Sequence, residues 1–276
     1  MSFRNRKLTP LAIILLIFIT AISIGPLFWI FISSFKTNRE ILASAYALPI
    51  SWKPFGYIAA LKLSPIFLFY RNSIIISFSA TILNLLVVSM SSYITSRYKF
   101  KGKMFFTYSM ASSLLIPTAA LMMPIYIIWT HLGLYDSMLG LIIVYAALGL
   151  PTSFFVLRSS FIIIPKELEE AAYLDGASFI TTFLKIMIPM VKSGIATAAI
   201  LEFLTAWNEF MFALILTKSI DVRTLPLALS YFTSQFSYNY TAMFAGIIMV
   251  VLPSIVIYTI LQEQVTSSMV AGSIKG

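Results

Sequence analysis

Six stretches of this sequence, 10–34, 72–96, 104–128, 138–157, 190–216 and 242–262, run for roughly 20 residues or more with few or no charges. A helix needs about 20 mostly apolar residues to cross the hydrocarbon layer of a bilayer. Only helices and closed barrels satisfy their backbone groups there, and runs this long and continuous suit helices. The whole chain is 59% hydrophobic with a mean hydropathy of +0.93, where soluble domains hold roughly 45–50% apolar residues. The expectation is an all-α integral membrane protein of six transmembrane helices, forming one domain over 1–276. The first apolar run is much longer than the ~7–15-residue core of a cleaved secretory signal, so it reads as a retained first helix.

Lys and Arg gather on the cytoplasmic side of membrane proteins. With the N-terminus inside, twelve of the 19 fall inside: Arg4, Arg6, Lys7, Arg97, Lys99, Lys101, Lys103, Arg158, Lys166, Lys185, Lys192 and Lys275. Of the seven outside (Lys36, Arg39, Lys53, Lys62, Arg71, Lys218, Arg223), five share the long excursion 35–71. The expected topology is N-in and C-in. A net charge of +9 follows from this bias and from attraction to anionic membrane lipid; it calls for no nucleic acid.

Two outward stretches, 35–71 and 217–241, mix aromatics with Pro and Ser. In the first, Trp52, Phe55, Tyr57, Phe67 and Tyr70 suit either the headgroup level or a docking surface. The second carries Thr233, Ser234, Gln235, Ser237 and Asn239, which suit a hydrophilic partner or a solvated loop equally. The loop "RYKFKGK" at 97–103 reads as a topological anchor. Pro117, Pro124, Pro151 and Pro253 fall inside spans, where each removes a backbone hydrogen bond and bends the helix. Zero cysteines excludes disulfides and thiolate chemistry, and the single histidine, His131, has no acidic or Cys cluster beside it for a metal. No catalytic constellation is present, so the chain is not expected to be an enzyme.

Glu202 and Glu209 lie in "AAILEFLTAWNEFMFALIL", and a carboxylate at membrane depth is costly unless it faces a bundle interior or a wet cavity. Seven residues apart, they are expected to share a helix face, with Trp207 and Asn208 completing a polar and aromatic cluster. The cluster suits a structural role or the lining of a translocation path.

Four acids, Glu167, Glu169, Glu170 and Asp175, fall within nine positions of the stretch 164–189, "IPKELEEAAYLDGASFITTFLKIMIP", in a chain that is only 11% charged. Pro165 suits the first position of a helix, and Glu167, Glu169 and Glu170 suit its positive end. Gly176, after Asp175, suits a left-handed cap; Ser178 can cap a second helix that Pro189 stops or kinks. Small residues at Ala171, Ala172 and Gly176 leave the turn open to another protein's surface, and the acids complement a basic cleft.

The order Glu170-Ala171-Ala172, three residues, Gly176, nine residues, Ile186, one residue, Ile188-Pro189 resembles the coupling loop of ABC-importer permeases, of form E-A-A-x3-G-x9-I-x-L-P, departing only at Ile188. "SFKTNREI", "NSIII", "RYKFKGK", "LGLYDSMLGLII", "WNEF", "TLPLALSYF" and "VAGSIKG" come in the order of permeases for di- and oligosaccharide uptake, most like the shorter six-span partner of maltose-type importers. The resemblance implies a cytoplasmic coupling loop over 158–189 between spans four and five, with Glu170, Ala171, Ala172, Asp175, Gly176, Ile186 and Pro189 engaging an ATPase. It implies a second homologous permease, two copies of a cytosolic ATPase that binds the ATP, and an extracytoplasmic solute-binding protein. The chain has no G-x-x-x-x-G-K-[ST] loop of its own. A polyol or glycerol-phosphate solute, and more distantly an ion-driven carrier centred on Glu202 and Glu209, are the alternatives.

Overall fold

The computed structural model describes residues 9–232 and 239–273. Arg4, Arg6, Lys7, Thr233, Ser234, Gln235, Ser237 and Lys275, with 274–276 of the terminal motif, lie outside the described residues. Among those described, all regular structure is helical. Four helices are long and apolar enough to cross a membrane: Pro10–Ser33, Ile66–Arg97, Met138–Ile163 and Tyr240–Ile260. Two bent pairs bring the candidates to six.

The chain divides into two compact units. The first holds Met1–Ile66 and Ala228–Leu252. Its α1 (Pro10–Ser33) starts on Thr9, whose hydroxyl accepts from Ala12 N at 3.3 Å, with Pro10 at the first helical position. α1 is apolar on every side and exposes most of its large hydrophobics, as a lipid-facing helix does. The stretch after it is folded. α2 (Asn38–Ala43) opens on a capping box between Thr37 and Glu40, and α3 (Phe55–Leu63) comes next. Lys36, 1% exposed, donates to Ala45 O at 3.0 Å, and so does Trp29 Nε1 at 2.8 Å. Gly56 packs against the carbonyls of Ser34 and Thr241, where a Cβ would meet both at 2.5–2.6 Å. Backbone hydrogen bonds from Thr37 and Ile50, and after them the Thr37 hydroxyl, hold the Glu40 carboxyl below its ordinary range.

The second unit holds Phe67–Leu227 and Pro253–Gly276. Its long helices are α4 (Ile66–Arg97), beginning at the unit boundary, and α7 (Met138–Ile163). The expected third span, 104–128, is a correction: it is not one helix. α5 (Lys103–Ser113) ends before Pro117; a 3-10 turn at Thr118–Leu121 and α6 (Met122–His131) continue at 104° to it. Proline lacks the N–H that would continue the ladder and forces the residue before it out of helical geometry. At about 1.5 Å per residue neither piece alone reaches across a bilayer.

The expected fifth span, 190–216, is also divided. α9 (Phe179–Thr181), a π-helical turn (Thr182–Met187) and α10 (Ile188–Met190) lead to a 77° bend at Val191; α11 (Lys192–Asn208) then runs to Glu209, and α12 (Met211–Leu216) lies beyond it. α13 (Tyr240–Ser273) carries Pro253 and α7 carries Pro151 without interruption.

α7 and α11 pack along each other, and the glycines on this contact are filled by polar side chains. Gly149 of α7 receives the Glu202 carboxylate and Gly194 of α11 receives the Ser160 hydroxyl. Small residues allow this close approach in membranes. Asn84, fully buried on α4, donates to Ala146 O of α7 at 2.8 Å. At the start of α4, Asn72 Nδ2 donates to the carbonyls of Asp221 (2.8 Å) and Arg223 (3.0 Å), and Leu225 N donates to Ser73 Oγ at 2.7 Å. Asp136 accepts from Lys218 N at 2.7 Å and from Ser219 N at 2.9 Å. The segment 217–227 is thus pinned at several points, unlike a merely solvated loop. Burial alone would raise the Asp136 carboxyl, but these donors outweigh it and leave it lowered.

Candidate functional site

α8 (Glu167–Leu174) carries the acids. Its first intrahelical bonds run from Glu169 N (3.0 Å) and Glu170 N (3.1 Å) to Lys166 O. Lys166 is therefore the cap, and Pro165, expected at the first helical position, stands just outside. The proline holds Ile164 extended, with ψ 131°.

The far end matches the expectation for Gly176. Ala177 N donates to Ala172 O at 2.9 Å and Gly176 N to Tyr173 O at 3.0 Å, the paired bonds of a Schellman cap. Gly176 has φ +82°, a conformation open to glycine at no steric cost. Ser178 accepts from Thr181 N at 3.3 Å and so caps α9. The second helix that α9 begins is irregular, passing through the π-helical turn before Pro189.

The 3.6-residue period sorts the expected coupling residues into two sets. Glu170, Ala171, Asp175 and Gly176 are exposed; Ala172 is buried, Ile186 is half-buried, and Pro189 is exposed in α10. Two readings need correction. The turn was expected to carry no bulky side chain, yet Leu174 beside it is 89% exposed, because α8 turns Ala172 inward and leaves Leu174 on the outer face. The acids were expected to act together, but Glu169 is only 7% exposed. It accepts from Tyr93 Oη at 2.6 Å and pairs with Arg97 Nε at 3.1 Å. Arg97 also donates to Ile164 O at 2.7 Å, so the first residue of the basic loop is an internal tie. Tyr98 Oη and Tyr173 Oη lie 2.7 Å apart. Sequence reading missed this cluster. The signal available was the helical period, which sets Glu169 with Ala172 and opposite Glu167 and Glu170.

Glu202, Trp207, Asn208 and Glu209 do not form the expected single face. Glu202 is 2% exposed on α11, and neither carboxylate oxygen has a hydrogen-bond donor among the described residues. Trp207 is buried against Phe203 at 5.7 Å and Tyr70 at 6.3 Å between ring centroids. Asn208 is exposed, donating to Leu204 O and accepting from Ser254 Oγ at 3.1 Å. Glu209 lies beyond the end of α11 with ψ 127°. Its two oxygens accept from Phe212 N (2.8 Å) and Ala213 N (3.0 Å), capping α12.

Glu209 therefore restarts the helix after the break, an observation on the side of a structural role. Because Gln keeps one of the two acceptors, Glu209→Gln is expected to cost about 1 kcal/mol and Glu209→Ala about 2 kcal/mol, in the range of lost helix caps. Thermal unfolding in detergent reads this order, and equal midpoints for wild type and Glu209→Ala would contradict the cap. Among the described residues no three His, Cys, Asp or Glu come together as a metal set.

Relatives align along nearly the whole chain. The probable ABC transporter permease protein YurM of Bacillus subtilis (strain 168) is 33% identical, covering 97% of this chain and 89% of its own. The diacetylchitobiose uptake system permease protein NgcG of Streptomyces coelicolor is 33% identical over 98% of this chain and 90% of its own. In fold, the chain superposes on a chain of a bacterial ABC transporter involved in the import of the acidic polysaccharide alginate, with a TM-score of 0.80 and 21% identity, covering 94% of this chain and 99% of that one. Residues 86–269, from the second half of α4 through nearly all of α13, match the binding-protein-dependent transport system inner membrane component. By that match and these identities, the chain belongs to this family of ABC-transporter permeases.

Proposed function

We propose that this chain is a permease subunit of an ATP-driven importer for a carbohydrate, with a di- or oligosaccharide as the substrate class, and that its α8 is where an ATPase docks. Family membership implies an importer complex with a second permease, an ATPase and a solute-binding protein. A permease subunit is not an enzyme; ATP is hydrolysed on the separate ATPase. The carbohydrate class rests on relatives such as the diacetylchitobiose permease. The finer reading is the shorter partner of a maltose-type pair with two ATPase copies, a single permease domain over 1–276 and six spans with both termini inside. It places the coupling loop 158–189 in the cytoplasm, and the count of twelve basic residues against seven supports that orientation.

The observation that carries the docking assignment is the short α8, closed by a left-handed Gly176 and presenting Glu170, Ala171, Leu174 and Asp175 to solvent. An exposed apolar Leu174 beside Glu170 and Asp175 suits a docking face, with apolar surface to cover and acids that steer a basic partner.

The test is a pull-down from solubilised membranes with a tag on this chain, comparing wild type with Glu170→Lys plus Gly176→Arg. Nothing lies within 4 Å of a Cβ at Gly176, so the first side-chain atom of a substituent there meets no neighbour. The backbone strain of a non-glycine residue there is about 1–2 kcal/mol. Wild type is expected to bring down an ATPase and a second membrane subunit; the variant is expected to keep the membrane subunit and lose at least about tenfold in ATPase, the effect of ~1.4 kcal/mol or more. Equal ATPase recovery in both sinks the docking assignment.

A further inference from the structure

We infer that Glu169 ties the docking helix to α4, so that a displacement of α8 is delivered along α4 to the segment 217–227 at its other end. The inference rests on the reading of α8 as a docking helix. A movement of α8 would reach α7 and α11 through the chain in any case, because they flank the segment. α4 is remote in sequence and is reached only through side chains.

Those side chains are held from several directions. Tyr93 and Glu169 are 76 positions apart, both buried, and joined at 2.6 Å. Arg97, one turn further along α4, pairs with the other oxygen of Glu169 at 3.1 Å and with Ile164 O at 2.7 Å. A buried carboxylate that keeps two partners on one helix cannot slide along it without losing both, and a buried unpaired charge is costly. α8 and the end of α4 therefore behave as one body.

The other end of α4 is held in the same manner. The fully buried Asn72 donates to two carbonyls, those of Asp221 and Arg223, and Ser73 accepts from Leu225 N. Between Asn72 and Arg97 lie 25 residues of a helix that contains no proline, roughly 37 Å at 1.5 Å per residue. An unbroken, proline-free helix gripped at both ends passes on a push, whereas the broken spans bend. Glu169, buried with its partners on α4, is thus a positioning residue that sets which span moves with the ATPase.

The experiment uses the complete complex in proteoliposomes, with Tyr93→Phe, Glu169→Gln and the double variant. Phenylalanine keeps the aromatic packing of Tyr93 on Phe161 and Phe183, and glutamine keeps an acceptor, so assembly is expected to survive. Co-purification of the ATPase should be unchanged, while solute moved per ATP hydrolysed should fall at least about tenfold in the double variant, a loss of the size produced by ~1.4 kcal/mol in a rate-determining step. The chain contains no cysteine, so Lys166→Cys and Met90→Cys can carry a pair of spin labels. In wild type the label distance should hold constant between nucleotide-free and ATP-bound complexes; in the double variant it should shift or broaden. An unchanged transport-to-ATP ratio in the double variant, or a wild-type distance that changes as much as the variant's, overturns the inference. Should wild type carry no ATPase at all, the docking assignment falls. The tie itself is then decided by the label distance in the permease without its ATPase, where broadening in the double variant upholds it and an unchanged distance overturns it.

Discussion

Arg97→Ala is expected to destabilise the protein by about 3–5 kcal/mol, the usual cost of removing one partner from a buried ion pair. Alanine would leave the Glu169 carboxylate, 7% exposed, with only the Tyr93 hydroxyl, and would strip Ile164 O of its donor. Thermal unfolding in detergent should show the largest fall of any single change at the C-terminal end of α4. Replacing both partners, Arg97→Leu with Glu169→Leu, should restore much of the stability, because two apolar groups of similar volume carry no desolvation cost. A midpoint for Arg97→Ala within about 1 kcal/mol of wild type would mean that the pair is solvated like a surface bridge.

Gly149→Val is expected to destabilise the protein as well, for a steric reason. Glu202 lies directly on the α7 backbone at Gly149, and a Cβ there would occupy the space of the carboxylate. Overpacking a tight core costs about 1–3 kcal/mol, and here the intruding methyls meet a side chain with no alternative donor nearby among the described residues. α7 and α11 would have to separate, which should appear as a loss of membrane-inserted protein together with a lower midpoint. The pair Gly149→Ala with Glu202→Ala should recover both, since it trades one volume for the other. Normal accumulation and an unchanged midpoint for Gly149→Val would show that the two helices do not meet there.

Hydropathy made four spans legible because it counts apolar residues along the chain, and α1, α4, α7 and the apolar part of α13 are both apolar and continuous. It cannot register whether the backbone is continuous. The bend before Pro117, the bend at Val191 and the restart after Glu209 all fall inside runs that read as single spans. The first two had a local signal, Pro117 and, two residues before the bend at Val191, Pro189; the restart depends on how the Glu209 carboxylate turns back to two amides.

The cap of α8 was legible because Gly176 and Ser178 act within a few residues of their own positions. The inward turn of Glu169 was legible in period but not in partner. Tyr93 and Arg97 lie more than 70 positions away, as Asn72 does from Asp221, and nothing in either local sequence marks the match. The stretch matching E-A-A-x3-G mixes residues facing outward with residues packed inward, as Ala171 and Ala172 do side by side.

The π-helical turn at Thr182–Met187 has a consequence for how this segment can change over generations. A π turn holds about one residue more than the α turn it replaces. Deleting a single residue there would let the ladder of hydrogen bonds close in the ordinary way. Because the π turn and the α turn that would replace it each complete one revolution, the deletion would leave local helicity intact and the two sides in nearly the same relative direction, whereas a deletion in a stretch that stays α-helical would rotate them by about 100°. The turn is therefore a place where the chain can lose one residue of length and keep its direction. Descendants that lose one residue at Thr182–Met187 would keep the aim of α8, whereas those that gain or lose a residue elsewhere between Gly176 and Pro189 would have to re-aim it.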